Sequence, residues 1–277
     1  MDTNKSQRSQ NVQIVDIFDE FRRDLDEHND RRERLIKASR DVTNASKKVI
    51  FLLHRLMTEQ GHDARDQSKN AGQCGRGKLR EVQAVYAQMS HELGGDKFWR
   101  YHRAVSPGLQ EYIEALSFAH YLEHGTLITY DQVQATLSDT SGVPYFPLPT
   151  EDYLLGLSDL TGELMRFAIS GIARKGGRTK ARDVCAFVRQ CKSDFEQFTP
   201  FVRDLSKKQH VTTQSLEKIE DAVYAIVVRT SEYDLPPEIL DDIVAQSISN
   251  FNTGAATDKT KRNRRDPGSG DEYDGNY

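Results

Sequence analysis

A long apolar pattern with the spacing of an α-helix runs through residues 12–59, VQIVDIFDEFRRDLDEHNDRRERLIKASRDVTNASKKVIFLLHRLMTE. Apolar side chains recur there every three or four residues, first within residues 14–25 and again within residues 35–56. This spacing places them on one face of a helix. The pattern predicts one very long helix, or two collinear ones, that ends near Glu59 ahead of Gly61.

Further helical segments follow, separated by breaks that are rich in glycine or proline. Residues 61–77, GHDARDQSKNAGQCGRG, are polar and hold four glycines, which predicts a loop. No segment alternates with a period of two residues, so the chain is predicted to be all-α. Long helices with short connections favour an antiparallel bundle. The other predicted helices cover residues 78–93, 97–124, 130–137, 151–173, 181–206 and 213–231, and a last short one opens at Pro236-Pro237.

Length and composition limit the number of domains and the kinds of function that the chain can have. The 277 residues suffice for one large domain or two small ones. We expect a helical domain over residues 11–251, between a disordered polar start (1–10) and a disordered charged tail (252–277). The formal net charge of −4 argues against a protein that coats nucleic acid through bulk positive charge, so such contact needs a local basic face.

The cysteines and the apolar segments indicate a compartment. Three cysteines are irregularly spaced and form no CxxC pair, which argues against a disulfide framework and a structural zinc site. This usage suits a reducing compartment. Neither an apolar leader nor an apolar run of membrane length is visible, so we expect a soluble, intracellular protein without membrane contact.

A first pair of acids stands in a strongly apolar segment, GLQEYIEALSFAHYLE (residues 108–123). Glu111 and Glu114 are three residues apart, so they share one face of a helix. Apolar side chains flank the two acids almost all round the helix. A helix of this composition is usually buried, which predicts that the two acids do not lie on an ordinary solvated face.

A second pair stands in EDYLLGLSDLTGELMRFAIS (residues 151–170). Asp159 and Glu163 are four residues apart and again share one face, in a segment that is otherwise mostly apolar. Gly156 and Gly162 each reduce helix stability by about 1 kcal/mol relative to alanine. We therefore expect another backbone or a ligand to come close at these two positions.

Acids in such surroundings indicate a metal site. Buried carboxylates are costly unless they are paired or bind a metal, and four clustered acids would hold protons at neutral pH. Oxygen ligands alone favour Mg²⁺ or Mn²⁺. Two such ions, about 3.5–4 Å apart, can support phosphodiester cleavage. The pattern predicts a metal-dependent nuclease. Its metal-binding and catalytic residues would be Glu111, Glu114, Asp159 and Glu163, which we call the acid set.

Spacing alone leaves other interpretations open. A single pair of acids three or four residues apart is most often an ordinary solvated helix face. A ferritin-like di-iron bundle requires Glu-x-x-His on two helices. Ser117 stands three residues after Glu114, and Arg166 stands three residues after Glu163, so the sequence disfavours a di-iron site.

Several long runs resemble the translin family, in its Trax (translin-associated factor X) branch. They are SRDVTNASKKVIFLLHR (39–55), the two acid-bearing segments and KIEDAVYAIVVR (218–229), and the resemblance covers most of residues 30–231. Translin-like chains have non-acidic residues in place of the two glutamates of LQEYIEA and the aspartate of LSDLTGE. This sequence has acids at all these positions, which favours the Trax branch over translin.

The resemblance implies a seven-helix, α-solenoid-like bundle that assembles with translin into a closed, hollow hetero-octamer. It also implies Mg²⁺-dependent endonucleolytic cleavage of single-stranded RNA, with the acid set lining the interior cavity and Mn²⁺ able to substitute. The implied substrates include passenger-strand fragments in RNA interference and fragments of tRNA processing. The alternative function is a non-catalytic scaffold that stabilises translin and carries nucleic acid, in which the acids would be structural.

A basic and aromatic run, KFWRYHR (97–103), precedes the first acid pair. It resembles a basic region that translin uses for nucleic acid. Phosphate contacts need basic side chains, sometimes with aromatic stacking partners. We predict that Arg100 and Arg103 contact single-stranded RNA, with single-stranded DNA as a second ligand. In the alternative interpretation, Phe98 and Tyr101 belong to the core and the cations are merely solvated.

Two further basic groups have less specific interpretations. A second candidate face on the first helix consists of Lys47, Lys48 and Arg55, for which ordinary solvation is favoured over RNA binding. The run KTKRNRR (259–265) fits a nuclear localisation signal and a solvated end equally well. We expect the protein in both the cytoplasm and the nucleus.

Overall fold

The structure, a computed structural model, describes residues 3–59, 64–172 and 177–232. In these ranges it contains no β-strand, only an isolated bridge between Ser138 and Pro144, so the all-α prediction is confirmed. A 3₁₀ turn precedes the third helix. The described residues form seven α-helices, which are α1 (Thr3–Thr58), α2 (Ala64–Met89), α3 (Lys97–His124), α4 (Tyr130–Thr136), α5 (Thr150–Gly171), α6 (Gly177–Glu196) and α7 (Leu205–Glu232).

Helix α1 is a single helix, one of the two predicted alternatives, but it begins earlier than expected. The polar residues 3–10 continue the helix, whereas the sequence suggested a disordered start. Neither glycine nor proline occurs between Thr3 and Thr58. Because adding a residue to an existing helix is far easier than starting one, a polar stretch without a breaker extends it.

Helix α2 corrects the predicted loop at residues 61–77, which is wrong from Ala64 onward. The glycines that suggested a loop are contact positions within the helix. A Cβ atom at Gly72 would lie 2.5 Å from the backbone oxygen of Ala119, and one at Gly75 would lie 2.7 Å from Cδ2 of Leu53. Glycine here allows α2 to approach α3 and α1 closely, which outweighs its poor helix propensity.

Two compact units divide the described helices, and the boundaries fall inside α5 and α7. The first unit extends to Leu160 and includes residues 198–208. In it, α1, α2 and α3 each contact the other two. Ser68 Oγ donates to the Leu122 oxygen at 2.8 Å and Gln83 Nε2 donates to Tyr112 Oη at 2.9 Å, so α2 and α3 are antiparallel as predicted. Its largest fully buried side chains include Tyr86, Tyr112, Phe118, Phe146, Leu53 and Leu79.

The second unit contains the remainder of α5, helix α6 and α7 from Gln209 onward. A buried hydrogen bond of 3.0 Å joins the hydroxyls of Thr161 and Thr212, which connects α5 to α7. Lys180 Nζ lies 4.7 Å from the centre of the Phe167 ring, which connects α6 to α5. Its buried apolar side chains include Leu164, Ala168, Val184, Val188, Phe195 and Ile219.

The boundaries of the last two helices differ from the predicted ranges 181–206 and 213–231. Residues 197–204 form turns instead of helix. Pro200 has no amide hydrogen to donate, and Asp204 has a φ of 66°, outside the helical range. The predicted boundaries of the third, fourth and fifth helices agree with the structure to within a few residues.

Some predicted features lie outside the described residues. These are the helix at Pro236-Pro237, the charged tail 252–277 and the basic run 259–265, so the domain boundary at residue 251 stays a prediction. Among the helices that are described, none combines the length and the apolar character that a membrane span requires.

Candidate metal centre and nucleic-acid surface

Helices α3 and α5 approach each other closely at Gly156. A Cβ atom there would lie 2.7 Å from Cβ of Ile113 and 2.9 Å from the backbone oxygen of Gln110. The expectation that another backbone comes close is confirmed at this glycine. At Gly162 no other described backbone comes close, since a Cβ atom would meet nothing within 4 Å beyond its own helix and chain neighbours, and the approach of a ligand there stays a prediction.

A polar network anchors the first turn of α5 on α3. Asp152 is 1% exposed, and its Oδ1 accepts hydrogen bonds from Ser106 Oγ at 2.6 Å and from Gln110 Nε2 at 2.8 Å. Its Oδ2 lies 2.5 Å from His102 Nε2. A buried carboxylate needs such partners to offset the loss of water. The network fixes the first-unit part of α5 (residues 150–160), which carries Asp159, against α3.

The sequence contains a signal for this network in the spacing of its polar residues. Asp152, Gly156, Asp159 and Glu163 follow one another at intervals of four, three and four residues, so they share one helix face. Extending the polar stripe of α5 toward its N-terminus would therefore have identified Asp152. On α3, the partners His102, Ser106 and Gln110 recur every four residues.

His102 responds to Asp152 electrostatically. The hydrogen bond to Asp152 raises the pKa of His102 above its usual value, against a smaller opposing effect of burial. The charge of Glu151 adds to the rise in pKa, while that of Arg103 opposes it. Because a hydrogen bond to the charged form favours that form, Asp152 stabilises a positive charge on His102, beside the exposed basic residues of α3.

The three acids of the set that belong to the first unit, Glu111, Glu114 and Asp159, are half-buried, and two of them contact lysines from other helices. The Glu111 side chain is 18% exposed, and its Oε2 lies 3.7 Å from Nζ of Lys47 on α1. Glu114, one turn further on, is also half-buried. Asp159 accepts a hydrogen bond from Nζ of Lys208, at the beginning of α7. The prediction that Glu111 and Glu114 avoid an ordinary solvated face agrees with their burial.

Glu163 belongs to the second unit and is the most buried of the acid set. Its side chain is 8% exposed, and its Oε1 accepts a hydrogen bond of 2.8 Å from Nη1 of Arg166. Arg166 stands three residues later on the same helix and is itself largely exposed. The arginine thus compensates a carboxylate that burial would otherwise destabilise.

The acid set suits a divalent cation by its chemistry. Its donors are all carboxylate oxygens, the ligands that Mg²⁺ and Mn²⁺ prefer. However, across residues 3–59, 64–172 and 177–232 no group of three or more His, Cys, Asp or Glu side chains is arranged to hold a metal ion. Glu111, Asp159 and Glu163 instead contact Lys47, Lys208 and Arg166. Their role as metal ligands therefore stays a prediction.

The run at residues 97–103 forms the first turns of α3 and separates core from surface. Phe98 and Tyr101 are 3% and 6% exposed and belong to the core, as one interpretation of the sequence expected. Arg100 and Arg103 are exposed, and the neighbouring Trp99 is 68% exposed. The surface therefore presents two guanidinium groups and an indole ring together, which can contact phosphates and stack on a base.

The second basic group on α1 is exposed as well, but two of its members pair with acids. Lys47 contacts Glu111, and Nε of Arg55 lies 3.8 Å from Oε1 of Glu59. Lys48 is exposed. Lys47 thus lies beside the first acid pair, and a role of this group in RNA binding stays a prediction.

Comparison with known proteins identifies the family. A model of the translin family matches residues 30–230. The chain belongs to the translin family. It is 36% identical to translin-associated protein X of Rattus norvegicus over 252 residues, which cover 83% of each protein. It is 23% identical to translin of Homo sapiens over 219 residues, 79% of this chain and 94% of translin. The resemblance to the Trax branch of the family is confirmed.

Two solved structures share the translin-family fold. The crystal structure of apo-NeC3PO has a TM-score of 0.58 at 17% identity and covers 75% of this chain and 95% of its own. The structure of an AfC3PO–duplex RNA complex has a TM-score of 0.57 at 20% identity and covers 76% of this chain and 97% of its own. Identities this low support the helical fold alone.

Proposed function

We propose that this translin-family chain is the catalytic subunit of a Mg²⁺-dependent endoribonuclease, which it forms with translin and which cleaves single-stranded RNA. The proposal depends on one observation, the burial of the four acids of the acid set. Glu111, Glu114 and Asp159 are half-buried and Glu163 is buried, on helices that are otherwise mostly apolar. The chain is also more similar to translin-associated protein X than to translin, 36% against 23% identical.

In the proposed site the acid set holds Mg²⁺, for which Mn²⁺ can substitute. A bound metal ion supplies activation of the attacking water and stabilisation of the leaving oxygen. The other task of the chain is to bind and orient the RNA. Arg100 and Arg103 contact its phosphates, and the exposed ring of Trp99 stacks on an unpaired base.

The proposed partners follow from the family. Similarity to translin-associated protein X, together with structural likeness to C3PO chains, supports assembly with translin-like chains, for which we propose a hetero-octamer. The AfC3PO structure contains duplex RNA, which supports RNA as the ligand class. Passenger-strand fragments of RNA interference and fragments of tRNA processing are the proposed substrates, in the cytoplasm and the nucleus.

A second candidate is a non-catalytic scaffold that stabilises translin and carries nucleic acid. The contacts of Glu111 with Lys47, of Asp159 with Lys208 and of Glu163 with Arg166 favour it. In this case the acids are structural, and their basic partners are permanent.

Cleavage by the assembled complex tests the proposal. The chain is combined with translin, Mg²⁺ and single-stranded RNA that carries a label at one end. Asp159→Asn and Glu114→Gln should each abolish cleavage, while size-exclusion chromatography shows intact assembly. Glu81→Gln is the control, because this acid on α2 is 77% exposed and should be dispensable. Cleavage at the native rate by the Asp159 and Glu114 variants would refute the proposed site. The non-catalytic scaffold would then be the remaining candidate function of this chain.

A further inference from the structure

Lys207 and Lys208 are adjacent in sequence but have very different surroundings. The Lys207 side chain is 82% exposed and donates to Asp204 at 2.5 Å, within the same turn of chain. The Lys208 side chain is 24% exposed and pairs with Asp159, which is 34% exposed and 49 residues away in sequence. Only the second pair joins two helices in a partly buried position.

The contact with Lys208 affects what Asp159 can bind. Its Oδ2 already accepts a hydrogen bond from an ammonium group, whose positive charge repels any second cation that approaches the same carboxylate. Screening by water and salt is weaker at a partly buried site than at the surface. A divalent cation and the Lys208 ammonium therefore compete for Asp159.

We propose that Lys208 is an internal counter-ion, which neutralises Asp159 in the metal-free protein and which a divalent cation must displace in order to bind there. The inference rests on the proposed function, since that function makes Asp159 a metal ligand. Lys47 is a similar counter-ion to Glu111, with its Nζ 3.7 Å from Oε2 of that acid. Lysine counter-ions offset the cost of partly burying these two carboxylates before metal arrives.

Metal titration of matched variants tests the competition. Mn²⁺ alone is titrated calorimetrically into the complex of the full-length chain with translin, as the unaltered chain and as Lys208→Met, Lys207→Met and Asp159→Asn. Lys208→Met should bind Mn²⁺ more tightly by about 5- to 150-fold, the usual range of coupling between two sites. Lys207→Met should match the unaltered chain, and Asp159→Asn should lose the site.

A second measurement needs no substitution at Lys208. Acetylation rates of the two lysines in the unaltered complex are compared by mass spectrometry with and without Mg²⁺. Displacement should increase the rate at Lys208 several-fold and leave the rate at Lys207 unchanged. A rate at Lys208 that Mg²⁺ does not alter contradicts displacement.

The possible outcomes separate this inference from the proposed function. If Mn²⁺ binds and Asp159→Asn abolishes binding, but Lys208→Met binds with unchanged or lower affinity, the counter-ion role is refuted while the metal site stands. If Mn²⁺ binds none of the variants, or if Asp159→Asn binds it normally, both the counter-ion role and the metal role of Asp159 are refuted.

Discussion

Gly156 and Ile113 meet where α5 crosses α3, and a Cβ atom at Gly156 would lie only 2.7 Å from Cβ of Ile113. The backbone of Gln110 is nearly as close, so the helices cannot absorb a methyl group without moving apart. Glu111 and Glu114 stand next to these contacts in sequence, and Asp159 follows Gly156 by one turn. The crossing therefore sets the position of Asp159, in the first-unit part of α5 (residues 150–160), relative to the first acid pair.

Gly156→Ala should destabilise the protein more than Gly162→Ala does. Both changes raise helix propensity equally, by about 1 kcal/mol. Only the first creates a steric clash, which typically costs about 1–3 kcal/mol. Urea unfolding should show a lower free energy of unfolding for Gly156→Ala than for Gly162→Ala, by about that amount. Equal values for the two variants would mean that α3 and α5 adjust freely at the crossing.

Gly72→Ala should show that the glycines of α2 are contact positions. A Cβ atom at Gly72 would lie 2.5 Å from the backbone oxygen of Ala119, whereas one at Gly77 would meet nothing within 4 Å among the described residues. We expect a lower melting temperature for Gly72→Ala and an unchanged or higher one for Gly77→Ala. If residues 64–77 were a loop, neither change would have a large effect, and this outcome contradicts the helix.

The stability of the protein should depend on the protonation of His102. Asp152 raises the pKa of His102 in the folded state, so the folded state binds this proton more tightly than the unfolded chain. The resulting stabilisation is complete below the pKa of about 6.5 of an unfolded histidine and is lost as pH rises through the higher folded pKa.

The free energy of unfolding should therefore decrease across this window, and His102→Gln should flatten the decrease. Urea unfolding at a series of pH values measures the free energy of unfolding and its slope against pH. His91→Gln is the control, since His91 is exposed and should leave the slope unchanged. A slope that is the same in His102→Gln and the unaltered chain excludes His102 as its source.

Trp99 should report directly on RNA binding, because it is the one tryptophan in the sequence. Stacking on a base should quench its fluorescence when single-stranded RNA is added to the full-length chain. Unchanged fluorescence at saturating RNA excludes Trp99 as a contact.

The exposed arginines beside Trp99 should supply phosphate contacts. Arg100→Ala combined with Arg103→Ala should weaken RNA binding and reduce the slope of log affinity against log salt by about 1.4, the value for two phosphate contacts to a single strand. Arg80→Ala, which removes an exposed arginine from α2, should change neither quantity. An unchanged slope in the double variant places the phosphate contacts elsewhere.

The all-α class and most helix boundaries could be read from local sequence. Helix periodicity, the break at Gly125 and the capping box formed by Thr129 and Gln132 involve residues within a few positions of one another. The same holds for the spacing of each acid pair. Such features are visible in sequence because a helix satisfies its own backbone hydrogen bonds locally.

Local signals misled where a residue serves a distant contact. Glycine lowers helix propensity, so Gly72 and Gly75 favoured a loop at residues 61–77. Their role became visible only with α3 and α1 packed against them. Gly162 shows the converse, because the same local signal there corresponds to no close approach among the described residues.

The surroundings of the acids belong entirely to tertiary structure. Sequence spacing placed Asp159 on the polar face of α5, but its contact with Lys208 spans 49 residues, and that of Asp152 with His102 spans 50. Nothing within a few positions of an acid specifies which cation will face it. A partner at this distance is selected when apolar helix faces pack and bring polar groups together, so the pairings became apparent only once the helices were in place.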